Sequence, residues 1–177
     1  GVIGLGRIGT RVLNRLKAFG TPRLLVNDLS PNSDLERKFK LEWVDKETIY
    51  KESDVITLHI PLTKATKNLI TKKELKMMKS DAIIINTSRG GIINEGDLYH
   101  VMQEGHLSGA SIDVFEQEPY DGKLTEIDRC LLTAHMGSMS IDCRTRMEIE
   151  ATEEAIRFLK GRALKGEVPE DEYEIQR

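Results

Sequence analysis

The sequence predicts an α/β protein built on a doubly wound parallel sheet. Three observations point there. Short apolar runs alternate with stretches of helical period along nearly the whole chain. One run, "AIIINTS", reads as a fully buried strand, as in sheets covered on both faces. A glycine pattern sits between the first apolar run and the first helical stretch.

The elements follow in order. "GVIGLG" opens with a short strand, and "RIGTRVLNRLKAFG" places Ile8, Val12, Leu13, Leu16 and Phe19 at helical spacing until Gly20 stops it. "RLLVND" is the next strand, bounded by the turn "LSPNS". "LEWV" is a weaker strand before the helical "DKETIYKES", and Pro61 closes the β-branched "DVITLHI". "TKKELKMMKS" reads as helix, "AIIINTS" as strand and "EGDLYHVMQEG" as helix; "SGASIDVF" and "CLLTAH" are two more strands. "SMSIDCRTRMEIEATEEAIRFLKGR" gives one long helix. Strand–helix alternation of this kind predicts a parallel sheet with both faces covered. The expected organisation is one domain over residues 1–165. Residues 166–177, with five acidic side chains after Gly166, form a solvated tail.

Composition narrows the function. With 39% hydrophobic and 31% charged residues the chain reads as globular. A net charge of −3 leaves no basic excess to neutralise nucleic-acid phosphates. No run approaches the roughly 18 apolar residues of a membrane span, and no leader is read, so no membrane partner and a cytoplasmic location are expected. Cys130 and Cys143 fit no metal spacing, and a reducing compartment suits them.

Gly4-Leu5-Gly6-Arg7-Ile8-Gly9 fits G-x-G-x-x-G with a strand before it and a helix after it. Gly4 permits the tight turn, Gly6 lets a pyrophosphate approach the backbone, and Gly9 lets helix and strand pack closely. The free amides around Arg7 and Ile8 face that pyrophosphate. Asp28 ends the second strand 19 residues past Gly9, where a carboxylate bonds the ribose hydroxyls and repels a 2′-phosphate. NAD is therefore expected rather than NADP. In such a Rossmann-type sheet, ligands sit beyond the carboxyl ends of the strands. His59, the set Asn86-Thr87-Ser88-Arg89, Asp113 and His135 end four different strands and would project to one edge.

The stretches "GLGRIG", "SDVITLHIPLTKATKNLI", "INTSRGGIINEGDL", "GASIDVFEQEP" and "TAHMGS" resemble, in order and across nearly the whole chain, the D-isomer-specific 2-hydroxyacid dehydrogenase family. The resemblance is to its nucleotide-binding domain, in the manner of phosphoglycerate dehydrogenase. It implies a catalytic trio of Arg89, Glu118 and His135. His135 would take the hydroxyl proton while the cofactor accepts hydride, Glu118 would favour the protonated imidazole and orient it, and Arg89 would hold the substrate oxygens. It also implies Arg7 and Ile8 on the pyrophosphate, Asp28 on ribose, and Ile60 and Pro61 against the adenosine half, with His59 in the same cofactor site. Thr87, Ser88 and Asp113 would face the nicotinamide end, Asp113 on the carboxamide. Arg89, His135, Gly137 and Ser138 would line that end too. No metal is implied. Ala134 stands where the family commonly has proline, and Met139 where a small or hydroxylated residue is frequent.

The partners expected are a small 2-hydroxy or 2-oxo acid and a second copy of the chain, since the family dimerises through this domain. Family members build a substrate-covering domain from sequence ahead of the first nucleotide-binding strand. Nothing precedes Gly1 here, so that domain is expected to be absent and turnover by the isolated chain weak or nil. Which 2-hydroxy acid is used stays open, phosphoglycerate being one candidate. Two other readings stay open as well. An NAD-sensing or corepressor-like module would need no catalytic trio, and a relative of adenosylhomocysteine hydrolase would not carry "NTSRGG" and "DVFEQEP".

Overall fold

The structure is a computed structural model and describes residues 1–20 and 22–167. Most of the expected acidic tail lies outside the described residues. The chain divides into two compact units, Gly1–Ala134 and a second that begins at His135. The expected domain, residues 1–165, takes in the first unit and the long helix of the second.

The first unit holds seven strands: β1 (Val2–Ile3), β2 (Leu25–Asn27), β3 (Glu42–Trp43), β4 (Val55–Leu58), β5 (Ile83–Asn86), β6 (Gly109–Ile112) and β7 (Cys130–Leu132). All pair in parallel, in the order β3-β2-β1-β4-β5-β6-β7. The chain runs outward from β1 to β3, then crosses to β4 and runs outward the other way. The switch point of this doubly wound sheet therefore lies between β1 and β4. The connecting helices are α1 (Arg7–Leu16), α2 (Ser33–Phe39), α3 (Lys46–Glu52), α4 (Lys72–Met77) and α5 (Glu95–Gln103).

Strand alternation sorts the core onto two faces. Ile3, Leu25, Ile56, Leu58, Ile84 and Ile112 point into the larger core, where they meet Ile49, Leu75, Leu98 and Met102 from α3, α4 and α5. Val2 and Val26 point the other way, into a smaller core with Leu5, Leu13, Phe39 and Leu41. Truncating a fully enclosed residue such as Ile84 to alanine costs about 2–5 kcal/mol.

Four expectations need correction. The sheet is not covered evenly on both faces: the smaller core takes no residue from β4–β7, and Val55, Ile83 and Leu131 are 44%, 38% and 64% exposed. For the same reason "AIIINTS" is buried on one face only. Phe19 and Ile8 share the helical spacing of Leu13 but not its burial. Phe19 falls in a separate 3-10 turn, Lys17–Phe19, and Ile8 stands exposed in the first turn of α1. Finally, α2 occupies a stretch read only as turn and connection. Its apolar signal is just Leu35 and Phe39. Its start is written in polar residues instead: the Asn32 side chain accepts from the amides of Asp34 and Leu35, and acids precede bases along the helix.

In the second unit, α6 (Ile141–Leu159) matches the expected long helix and is capped by Ser140, whose side chain accepts from Cys143 N. None of its residues is buried, and Ile141, Phe158 and Leu159 are among the most exposed apolar side chains. Among the described residues no helix is long and apolar enough to cross a membrane.

Candidate functional site

Strand register brings the expected site residues into one row. Asn27, Ile3, Leu58, Asn86, Ile112 and Leu132 are successive pairing partners across β2-β1-β4-β5-β6-β7. The next residue on each strand is then Asp28, Gly4, His59, Thr87, Asp113 and Thr133. The ladder continues into this row: Gly4 N donates to Asn27 O at 2.8 Å, His59 N to Ile3 O at 2.8 Å, Asp113 N to Asn86 O at 3.0 Å and Thr133 N to Ile112 O at 3.0 Å. At about 4.8 Å per strand, Asp28 and Asp113 stand about 19 Å apart along the edge. That is room for an elongated ligand laid across the switch point.

The β1 end of the row is a turn that only glycine permits. Gly4 has φ +93°, and a Cβ there would lie 2.7 Å from His59 O. A Cβ on Gly9 would lie 2.3 Å from Gly4 O, so α1 packs directly on the turn. Gly6 differs: a Cβ would meet nothing within 4 Å. It is the N-cap of α1, has no side chain to cap with, and is exposed together with Arg7 and Ile8. Intrahelical bonding begins with Thr10 N on Gly6 O at 3.0 Å, which leaves the preceding amides turned outward. The first turn of α1 carries no acidic residue. A bare, cation-like helix start with open space above its glycine suits a pyrophosphate. The residues present therefore fit the phosphate portion of a dinucleotide.

Asp28 sits beside this turn. Its Oδ2 accepts from Leu5 N at 2.6 Å and its Oδ1 from Ser30 N at 2.9 Å. Ionised carboxylate oxygens have capacity for further donors, ribose hydroxyls included. His59 and Ile60 lie behind the turn. His59 Nε2 meets Thr57 Oγ1 at 3.1 Å, the ring edge backs Gly9, and burial pushes the imidazole pKa down. The Ile60 side chain backs Gly4, and Pro61 is exposed.

The β5 and β6 exits interlock. Asn86 is 2% exposed; its Nδ2 donates to Arg89 O at 2.9 Å and its Oδ1 accepts from Ser88 N and Ser88 Oγ at 3.1 and 2.7 Å. Arg89 reaches back to Ser88 O at 2.7 Å, and its side chain is exposed, as is Thr87. Gly90 lies flush against the next exit: a Cβ there would fall 2.0 Å from Phe115 C and O. Buried Asp113 accepts from Thr133 Oγ1 at 2.5 Å. Glu118 Oε1 accepts from Phe115 N at 3.0 Å, Phe115 stacks on Tyr120 with centroids 4.0 Å apart, and Glu95 Oε1 accepts from Glu116 N at 2.7 Å. Burial, with the negative charges of Glu116 and Glu118, raises the Glu95 pKa although the Glu116 amide opposes it.

The first unit thus gathers the glycine turn, Asp28, His59, Ile60, Pro61, Thr87, Ser88, Arg89, Asp113 and Glu118 on one sheet edge. His135, Gly137 and Ser138 belong to the second unit. There His135 adopts φ +52° and is exposed, and Met139 N closes a turn on Met136 O at 3.0 Å before Ser140 caps α6. Sequence reasoning missed three organising residues: Glu95, Thr133 and the hub role of Asn86. Asn86 stood in the strand-end set. Nothing in the spacing marked Glu95 or Thr133. Among the described residues no group of three His, Cys, Asp or Glu side chains is placed to hold a metal ion.

Residues 1–137 match the family described as D-isomer specific 2-hydroxyacid dehydrogenase, NAD binding domain. The chain is 41% identical over 162 residues to a glyoxylate reductase of Thermococcus litoralis, covering 91% of this chain and 49% of that one. It is 37% identical over 164 residues to the D-3-phosphoglycerate dehydrogenase of Bacillus subtilis, covering 91% and 31%. Its fold superimposes with a TM-score of 0.85 on D-lactate dehydrogenase with NAD+ from Lactobacillus jensenii, at 28% identity over 96% of this chain and 55% of that one. The chain spans about half the length of the glyoxylate reductase it matches.

Proposed function

The chain belongs to the D-isomer specific 2-hydroxyacid dehydrogenase family, as its NAD-binding domain, and from that premise we propose that it serves hydride transfer between NAD and a small 2-hydroxy or 2-oxo acid. The observation that carries the reading is the single tip row. It sets the Gly4–Gly9 turn, the bare start of α1 and Asp28 at one end, and Thr87 and Asp113 towards the other, with Arg89 two residues past Thr87 and its carbonyl held by Asn86.

Bound NAD supplies the acceptor or donor of the hydride. The chain does the rest. Gly6 and the Arg7 and Ile8 amides receive the pyrophosphate, and Asp28 receives the ribose hydroxyls and repels a 2′-phosphate. Asp113, fixed by Thr133, receives the carboxamide, and Thr87 and Ser88 border it. Gly137 and Ser138 complete that end. Arg89 holds the carboxylate and carbonyl oxygens of the acid and draws electron density from the reacting carbon. In the oxidising direction His135 removes the hydroxyl proton as the carbon–hydrogen bond gives up its electron pair and the carbonyl forms. In the reducing direction it returns that proton to the carbonyl oxygen. Glu118 favours the protonated imidazole and fixes its ring. The substrate class is that of the glyoxylate, hydroxypyruvate and phosphoglycerate enzymes among the relatives.

The same reading places the protein in the cytoplasm as a homodimer. Both cysteines are free, and burial pushes the Cys130 thiol up to about 11, which keeps it unreactive. The unburied apolar side chains of α6 suit a second copy.

The test is His135→Ala in the full-length protein, assayed with NADH and glyoxylate or hydroxypyruvate and titrated calorimetrically with NAD. Loss of turnover with NAD binding intact is expected. Turnover equal to that of the parent would overturn the role of His135, and absence of heat with NAD would overturn the cofactor site.

A further inference from the structure

Resting on the role given to Glu118 above, we propose that Glu95 is a positioning residue for it: the Glu95 side chain fixes the β6 exit loop through the Glu116 amide and so sets where the Glu118 carboxylate stands. Glu95 is well placed to be a fixed point. It is the first residue of α5, whose N-cap Asn94 accepts from Asp97 N at 2.9 Å, and Leu98, Tyr99, Val101 and Met102 anchor the helix in the core. From that platform Oε1 reaches across to Glu116 N at 2.7 Å. The neighbouring amide, Phe115 N, is the one that holds Glu118 Oε1 at 3.0 Å. Two consecutive amides therefore link the chain of contacts, one gripped from outside the loop and the other gripping Glu118 from within.

Phe115 also ties this loop, through its ring on Tyr120 and its carbonyl against Gly90. The Glu116 bond adds a fixed point one residue further along the loop. It persists at a cost: burial disfavours the Glu95 carboxylate, the charges of Glu116 and Glu118 add to that, and the Glu116 amide opposes them only in part.

Reach and charge separate in two variants of the full-length protein. Glu95→Gln keeps an acceptor oxygen at the same reach and loses the charge. Glu95→Asp keeps the charge at a position that suits the start of a helix, but falls one methylene short of the Glu116 amide. Steady-state kinetics with NADH and glyoxylate should show kcat of Glu95→Asp lower by about tenfold or more, as expected for a displaced catalytic partner. The Glu95→Gln protein should stay within about threefold of the parent, with NAD affinity of both variants unchanged within about twofold. A Glu95→Asp protein as active as Glu95→Gln, or more so, overturns the proposal. So does a Glu95→Asp loss that appears in NAD affinity rather than in kcat. Glu118→Gln is run in parallel. If its kcat matches the parent, the role given to Glu118 is what fails, and the premise of the proposal goes with it.

Discussion

The Asp28 carboxylate accepts the Leu5 amide at 2.6 Å, which ties the end of β2 to the glycine turn that follows β1. The acid expected to choose between NAD and NADP also shapes the backbone that receives the phosphates. Its second oxygen holds Ser30 N, so both oxygens are oriented before any ligand arrives.

Asp28→Asn keeps one acceptor oxygen and loses the charge. Bonds to a charged acceptor are worth about 1.5–3 kcal/mol, so NAD affinity should weaken by about tenfold or more. The same change removes the repulsion of a 2′-phosphate, so NADP should lose less affinity than NAD, or gain some. Calorimetric titration with both dinucleotides reads the ratio. An unchanged NAD-to-NADP preference would show that discrimination resides elsewhere.

Gly6 and Gly9 should respond differently to alanine. A Cβ on Gly9 meets Gly4 O at 2.3 Å, and relieving that overlap costs about 1–3 kcal/mol. Gly9→Ala should therefore lower the thermal midpoint by several degrees. Gly6 has φ −73° and open space above it, so Gly6→Ala should lose only the N-cap preference of glycine over alanine, about 1 kcal/mol or less, and lower the midpoint less than Gly9→Ala does. Its methyl group would instead stand where the pyrophosphate approaches, and NAD affinity should fall. Comparing midpoint with affinity for the two variants checks the assignment; equal affinity in Gly6→Ala and the parent would remove Gly6 from the phosphate site.

The tip row was legible in the sequence because it depends on strand ends, and apolar runs mark those well. His59 and Asp113 directly follow such a run, Asp28 and Thr87 follow one after a single asparagine, and parallel pairing does the alignment. What was not legible depends on contacts between segments distant in sequence. The Glu95–Glu116 bond joins residues 21 apart, and Thr133–Asp113 joins residues 20 apart. Neither leaves a periodicity to detect. The α2 helix escaped notice because two apolar residues give almost no helical pattern, while its cap and charge order carry the information. The uneven cover of the sheet was equally hidden: Ile83 and Ile85 on one face of β5 are as apolar as Ile84 on the other, and only tertiary packing tells the faces apart.

His59 makes the glycine turn sensitive to acid. Burial holds its pKa below the usual imidazole value near 6.5. Between the folded and unfolded values the unfolded chain binds more protons, so stability falls as pH drops through about 6.5 and is complete above it. His59→Gln abolishes this contribution. Thermal midpoints from about pH 8 to about pH 5 should therefore decline more steeply in the parent than in the variant. Parallel profiles would show that the imidazole titrates alike in both states.

Asn86 offers the sharpest test of how Arg89 is held. Its amide donates to Arg89 O and accepts twice from Ser88, at 2% exposure. Asn86→Ala leaves these groups without their partner and should cost about 2–4 kcal/mol at every pH. Asn86→Asp is nearly the same shape but replaces the donor with an oxygen facing the Arg89 carbonyl, and it buries a charge. At neutral pH it should be at least as damaging as alanine. Burial raises a carboxyl pKa, so on acidification the folded state takes up a proton before the unfolded chain does, and stability returns as pH falls. The protonated carboxyl then has an O–H to offer Arg89 O, as the amide did. Thermal midpoints relative to the parent should converge for Asn86→Asp between about pH 8 and about pH 5, while the gap for Asn86→Ala stays level. A gap for Asn86→Asp that does not narrow would mean that the donor to Arg89 O is not what holds the loop.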